Sequence, residues 1–467
     1  MGRKTASPKT ADRPTMHPAR LALLAGGLAM LAGGLATAQE RQPFNIVLIM
    51  ADDAGVETIG TYGGNSHATP EINRLAAEGM RFDYAHSQPI CTPSRVKIMT
   101  GQHNYRNYEQ FAYLRPEVTT FAHALQAAGY RTLVAGKWQL APATDEQGVH
   151  RGLLPEDAGF DEHFVRWPNP ERSNTFNSTY WWPSIRDNAQ RVDFDEGVFS
   201  SDLYNRRVLE FIEAHRAGPF FVYYPMLLPH VPFVPTPDAP EATNVEDRFA
   251  AMVAYMDKLV GRVRAKVVEL GIAEQTVILF TADNGTDSSL VNEYRGAPLQ
   301  GGKGSTLLRG THVPFIAWGG PTVRGRANAD LVDFTDVFPT LLELAAVDDT
   351  DSLTLDGHSL VPKFRGEAGF QRDAIFIHYD PKWGPPGQRH RYAGSRYVFD
   401  RNWKLYSDGR FYDLYWDPEE TRAISTSRGL RPTARRAFDR LRAILVQHPN
   451  SPNWGEQSVH GADRSPP

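Results

Sequence analysis

NIVLIMADD, residues 45–53, is an apolar, β-branched run that stops abruptly at two carboxylates. It lacks polar alternation, the pattern of a strand buried on both faces rather than one lying half in water. Runs of the same texture recur at 131–135 (RTLVA), 219–225 (PFFVYYP), 276–281 (TVILFT) and 313–318 (VPFIAW). Between them, 70–79, 118–128, 201–215 and 247–270 carry apolar residues at helical spacing. This alternation predicts an α/β fold, doubly wound, with a mostly parallel central sheet over residues 39–370. Near 370 the texture changes to short aromatic runs divided by turns, then a helical stretch at about 432–447. A smaller C-terminal subdomain with an antiparallel sheet is expected over 371–447, followed by a loose Pro/Ser/Asn/Gly tail at 448–467.

The chain has 467 residues, with 50 Lys+Arg against 54 Asp+Glu and a net charge of −4. No basic excess points to nucleic acid, so an anionic ligand needs a local cluster of cations. Residues 21–35, LALLAGGLAMLAGGL, follow Arg13 and Arg20 and precede Ala36-Thr37-Ala38. This is the layout of a signal peptide over residues 1–38, with Met16 a plausible start. The run is short for a membrane span, which needs ~20 apolar residues, so no stable membrane association is expected. Removing 1–38 leaves 45 basic and 53 acidic residues, a net charge of −8, on a protein expected to be exported to a periplasm or secreted. The single cysteine, Cys91, permits no intrachain disulfide and is unusual in an oxidising compartment.

Open α/β sheets bind ligands beyond the carboxyl ends of their strands. The residues at those ends are Asp52-Asp53, Gly136-Lys137-Trp138-Gln139, Leu228-Pro229-His230 and Asp283-Asn284-Gly285. Singly, each has an ordinary reading as a cap, a turn or a solvated side chain. Together, Asp52, Asp53, Asp283 and the amide oxygen of Asn284 form an all-oxygen set of formal charge −3, which suits Ca²⁺, with Mg²⁺ possible. In Cys91-Thr92-Pro93-Ser94-Arg95, Pro93 fits the first turn of a helix, which puts Cys91 at an anion-favouring N-terminus and Arg95 one turn along.

The element C-x-P-S-R with Thr100-Gly101 after it resembles the signature of the type I sulfatases of the alkaline phosphatase superfamily. NIVLIMADD, GKW, PHVPF, TADNG, GGKGST and LDGHSL are similar to further blocks of that family, in the same order, over roughly residues 45–420. The resemblance implies that a separate maturation enzyme converts Cys91 to Cα-formylglycine, which would account for the lone cysteine. It implies Asp52, Asp53, Asp283 and Asn284 as Ca²⁺ ligands and Arg95 as the holder of the modified residue. Lys137 and Lys303 would bind sulfate oxygens, and His230 would sit near the leaving oxygen. A hydroxyl of the aldehyde hydrate then attacks sulfur, the alcohol departs, and the second hydroxyl expels sulfate.

Three positions depart from the family pattern. Gln139 stands where His is usual, Gln102 where Arg is usual, and Arg309 where Glu is usual. Glutamine hydrogen-bonds but cannot move a proton, which questions an assisting role at residue 139. The expected substrate is a sulfated small molecule or glycan. Trp167, Tyr180, Trp181 and Trp182 are arranged as a sugar-stacking loop would be, although aromatic loops more often pack on their own core, and the basic stretch 382–396 reads more readily as an exposed hairpin than as a polyanion contact. The alternatives are a phosphate or phosphonate monoester hydrolase on the same scaffold, or an inactive anion-binding relative.

Overall fold

A computed structural model describes residues 1–2, 42–141, 152–167, 176–348, 350, 352–381, 394–426 and 429–448. The signal-like segment, the tail after 448, most of the basic stretch 382–396 and part of the aromatic stretch 167–182 therefore lie outside the described residues. Among those described, no helix is long and apolar enough to cross a membrane.

The strand Asn45–Ala51 is buried along its whole length. It runs parallel to Thr276–Ala282 on one side and to Phe220–Pro225 on the other. Arg131–Gly136 and Glu162–Arg166 continue the parallel run beyond Phe220–Pro225. The missing alternation in these sequences is thereby explained, since helices cover both faces. The helices Pro70–Glu78, Phe121–Ala127, Ser200–Ala214 and Val245–Glu269 occupy the segments with helical spacing. Their starts follow local chemistry. Thr120 and His123 form a reciprocal cap, Asn244 accepts from the Asp247 amide, and Pro70 stands in a first turn.

The parallel pattern stops at one edge. Phe315–Gly319 is a strand as expected, yet it pairs antiparallel with both Thr276–Ala282 and Met80–His86. Met80–His86 escapes a sequence reading because Arg81 and Asp83 interrupt its apolar residues and bond to each other at 2.8 Å. An antiparallel hairpin, Ser184–Asp187 and Gln190–Asp193, extends the opposite edge of the same 11-stranded sheet.

Ile375–Tyr379, Ser395–Phe399, Trp403–Tyr406 and Phe411–Asp413 form a separate four-stranded antiparallel sheet, backed by the helix Pro432–Gln447. This sheet braces the loop at 301–306. The Tyr379 hydroxyl donates to the Gly304 carbonyl at 3.3 Å, the Tyr406 hydroxyl to Thr306 Oγ1 at 3.0 Å, and Lys404 to the Thr306 carbonyl. That loop carries Lys303.

Candidate active site

Four parallel strands deliver the candidate residues to one edge because each residue lies in the segment that follows its strand. Asp52 and Asp53 follow Asn45–Ala51, Lys137 and Gln139 follow Arg131–Gly136, His230 follows Phe220–Pro225, and Asp283 and Asn284 follow Thr276–Ala282. Asp53 and Gln139 adopt left-handed backbone, at φ 66° and 53°, a conformation that costs roughly 1–3 kcal/mol and that clusters at functional sites. Gly136 has φ 129°, and a Cβ there would lie 2.0 Å from the Pro225 carbonyl oxygen, so only glycine lets the chain turn Lys137 inward.

Cys91 opens the helix Cys91–Thr100, all ten residues of which are buried. A helix buried all round shows no amphipathic stripe, so its motif rather than its periodicity reveals it. Gly101, at φ 64°, ends it with an amide bonded to the Lys97 carbonyl. Further along, the Lys97 ammonium lies 2.7 Å from Asp333, both fully buried. A buried positive charge thus stands five residues before Gln102, whose amide donates to the Thr354 carbonyl at 2.9 Å. Arg309, the third unusual residue, pairs outward with Glu419.

Cys91 Sγ lies 3.6 Å from Asp52 Oδ1 and 3.8 Å from Asp53 Oδ1. Arg95 Nη2 donates to Asp283 Oδ2 at 2.7 Å, with Asp52 at 3.5 Å, and Nη1 donates to the Lys137 carbonyl at 3.2 Å. Lys137 Nζ donates to both oxygens of Asp52 at 2.7 and 2.6 Å, and Lys303 Nζ to Asp53 Oδ2 at 2.5 Å. Asp283 Oδ1 accepts the Asp53 amide at 3.0 Å. Three carboxylates therefore face three cations, all nine-tenths or more buried. His230 Nδ1 stands 2.5 Å from the Val231 carbonyl, which accepts and so places a proton there. Its Nε2 then faces the cluster, 3.7 Å from Asp53 Oδ2.

The charges act on one another. Burial raises the Asp52 carboxyl, but Lys137, His230 and Arg95 outweigh it and hold the group at about 2. Asp53 is lowered too, Lys303 overcoming the effect of burial. Burial and the Asp52 charge push Asp283 up, and burial with the Asp283 charge raises the Cys91 thiol well above its usual value. A thiol kept protonated is a poor nucleophile in spite of its helix N-terminus.

The residues fit a hard divalent cation. Asn284 Nδ2 donates to Asp53 Oδ1 at 2.8 Å and to the Gly285 carbonyl at 2.9 Å, which leaves its Oδ1 buried with no hydrogen-bond partner among the described residues. A buried amide oxygen without a donor is costly unless it meets a ligand. Donor atoms of Asp52, Asp53, Cys91 and His230 lie within 4.8 Å of one another. Oxygens suit such an ion better than a protonated thiol does.

A cavity of about 180 Å³ opens beside this cluster, lined by Asp52, Lys137, Gln139, His230, Arg166 and Thr179 among others. Gln139 Oε1 is buried there without a partner among the described residues. Arg166 and Thr179 escape the sequence reading. The missed signal was EHFVR, a short run whose last residue is at a strand end like the others. Two of the aromatic candidates are structural instead. Tyr180 is fully buried, its single hydroxyl proton shared between the Leu227 and His230 carbonyls at 2.7 and 2.6 Å, and the Trp181 indole donates to the Pro235 carbonyl. Tyr180 thus anchors the loop that carries His230.

Residues 44–347 match the protein-family model described as Sulfatase. Human arylsulfatase A (Homo sapiens) is 31% identical over 376 residues, covering 72% of this chain and 71% of its own. N-acetylgalactosamine-6-sulfatase of Rattus norvegicus is 31% identical over 351 residues, covering 69% of this chain, which spans 66% of that relative's length. Among solved structures, Ps i-CgsB superposes with a TM-score of 0.68 at 25% identity, over 85% of this chain and 92% of its own. Phosphonate monoester hydrolase of Agrobacterium radiobacter shares the fold, with a TM-score of 0.65 at 20% identity over 87% and 96% of the two chains.

Proposed function

The chain belongs to the sulfatase family, and we propose that it hydrolyses a sulfate ester to an alcohol and inorganic sulfate at the cluster around Cys91. The observation that carries this reading is the seating of Cys91 Sγ 3.6 and 3.8 Å from two carboxylates, inside a ring completed by Arg95, Lys137 and Lys303. Converted to formylglycine by a maturation enzyme, residue 91 would supply an oxygen nucleophile where the thiol does not. Asp52, Asp53, Asp283 and Asn284 would hold Ca²⁺, with Mg²⁺ also chemically suitable, and the ion would supply positive charge against the sulfuryl oxygens.

The chain's own side chains divide the remaining work. Lys137 and Lys303 stand on the carboxylates nearest residue 91, and their ammonium groups can turn to the equatorial oxygens of a bound sulfuryl group. Arg95 links Asp283, Asp52 and the Lys137 carbonyl, which holds the carboxylates and the lysine loop in register. His230, with its Nδ1 proton committed to Val231, presents Nε2 as the atom that holds or passes a proton at the departing oxygen. Gln139 offers a hydrogen bond and no proton transfer.

For the substrate we favour a carbohydrate sulfate, in keeping with the N-acetylgalactosamine-6-sulfatase relative, and export of the protein, in keeping with its leader-like residues 21–35. A phosphate or phosphonate ester is the rival, since its tetrahedral oxyanion suits the same site. Turnover of an aryl sulfate, compared with that of the matching aryl phosphate in one matured, Ca²⁺-loaded preparation, separates the two. Preference for the sulfate is expected, and preference for the phosphate would overturn the reading.

At the unusual residue, Gln139→His should change kcat on an activated aryl sulfate by less than about tenfold, below the ~10² to 10⁴ that general acid–base help is worth. Lys137, two residues earlier on the same loop, remains to serve the sulfuryl oxygens. A rise of a hundredfold would mean that the wild-type site is crippled and would favour an anion-binding role.

A further inference from the structure

We propose that Arg166 binds a second oxyanion on the substrate, a carboxylate or another sulfate ester, beside the sulfate that is cleaved; the proposal rests on the sulfatase reading above. Arg166 ends the strand Glu162–Arg166, which pairs parallel with Arg131–Gly136 through Gly136 and Val165. That register sets Arg166 level with Lys137, one strand farther from the cluster. Both residues line the same cavity, together with Asp52, Gln139 and His230.

The charges separate the two cations. Arg95, Lys137 and Lys303 each contact a carboxylate. The Arg166 side chain instead donates to a neutral hydroxyl, Thr179 Oγ1 at 3.2 Å, and among the described residues no carboxylate lies within ion-pair distance of it. A half-buried guanidinium that meets no carboxylate among the described residues can grip a planar or tetrahedral oxyanion with two parallel hydrogen bonds. Asp52 and Asp53 leave the strand Asn45–Ala51, three strands from Arg166, which separates the two backbones by about 14 Å at ~4.8 Å per strand. Arg95, Lys137 and Lys303 stand on the carboxylates around residue 91, and among the described residues Arg166 stands on none of them, so the cleaved group is assigned to the cluster and the second anion to Arg166. Thr179, next to the anchored Tyr180, fixes the direction in which the fork points.

The test measures kcat/KM of the matured, Ca²⁺-loaded wild type and of Arg166→Gln on three substrates. These are an N-acetylhexosamine monosulfate, the same sugar with a second sulfate, and the same sugar linked to a uronic acid. The wild type should prefer one of the doubly charged substrates over the monosulfate. In Arg166→Gln that preference ratio should fall at least tenfold, and Arg166→Lys should recover part of it. Which substrate loses its advantage tells a sulfate ligand from a carboxylate. A wild type without preference, or a ratio that the substitution does not move, would overturn the proposal while leaving the sulfatase reading intact. A wild type that cleaves no sulfate ester would sink that reading, and this proposal with it.

Discussion

Cys91→Ala is expected to yield a folded, metal-competent protein that hydrolyses no sulfate ester. The side chain is 2% exposed, and the helix that begins with it is held by its other nine buried residues and by the cap at Gly101. Loss of one sulfur at the first helical position therefore leaves the scaffold in place. The metal-site candidates Asp52, Asp53 and Asp283 keep their partners Lys137, Lys303 and Arg95, and Asn284 keeps Asp53. Activity should drop by about 10⁴-fold or more, as expected when a nucleophile is removed, with an unchanged melting curve and Ca²⁺ isotherm. Residual turnover near wild type would eliminate residue 91 as the nucleophile. Cys91→Ser should fail almost as fully wherever the maturation enzyme requires a thiol, and the intact mass of the peptide shows whether conversion has taken place. Full activity of the serine protein would mean that an ordinary hydroxyl suffices, which is phosphatase-like behaviour.

Asp283→Ala should lose both metal and activity. Asp283 is fully buried, accepts Arg95 Nη2 at 2.7 Å and also receives the Asp53 amide at 3.0 Å. Its removal takes one oxygen and one charge from the set that suits the cation, and strips Arg95 of its nearest partner. Ca²⁺ affinity should fall by more than the ~10- to 100-fold typical of losing a mere supporting contact. The guanidinium, left with Asp52 at 3.5 Å and the Lys137 carbonyl, should destabilise the fold by less than the about 3–5 kcal/mol that breaking a buried ion pair from one side costs. Asp283→Asn, which keeps an oxygen in place, should lose less of each, and that ranking by calorimetry and thermal melts checks the assignment. Wild type stripped by chelator should recover with Ca²⁺ or Mg²⁺. Recovery with Zn²⁺ alone would contradict an all-oxygen site.

Most of the candidate site was legible because strand ends are a local property. Asp52, Lys137, His230 and Asp283 each follow an apolar run, so recognising the run places the residue at the sheet's carboxyl edge. Cys91 was legible for another reason, through Pro93 and Arg95 at short spacing. Arg166 was missed because Glu162, His163 and Arg166 make EHFVR too polar to read as a buried strand. Composition leaves Tyr180 open between core packing and a sugar platform, and the fold decides for the core, where its hydroxyl lies 2.7 and 2.6 Å from the Leu227 and His230 carbonyls.

From residue order alone come the parallel strands, the covering helices, the helix at Cys91 and the strand-end residues Asp52, Asp53, Lys137, His230, Asp283 and Asn284, since periodicity and spacing operate over a few residues, whereas Lys303 joined them only through the family resemblance of its GGKGST block. Pairing among those charges was settled by the folded chain. Arg95 meets Asp283 across 188 positions, and Lys303 meets Asp53 across 250. Such contacts depend on the strand order, in which Asn45–Ala51 lies between Thr276–Ala282 and Phe220–Pro225, and on the antiparallel sheet that braces the loop of Lys303. The antiparallel sense of Phe315–Gly319 was settled in the same way, because an apolar strand has the same composition in either direction and only its neighbours' hydrogen bonds distinguish them.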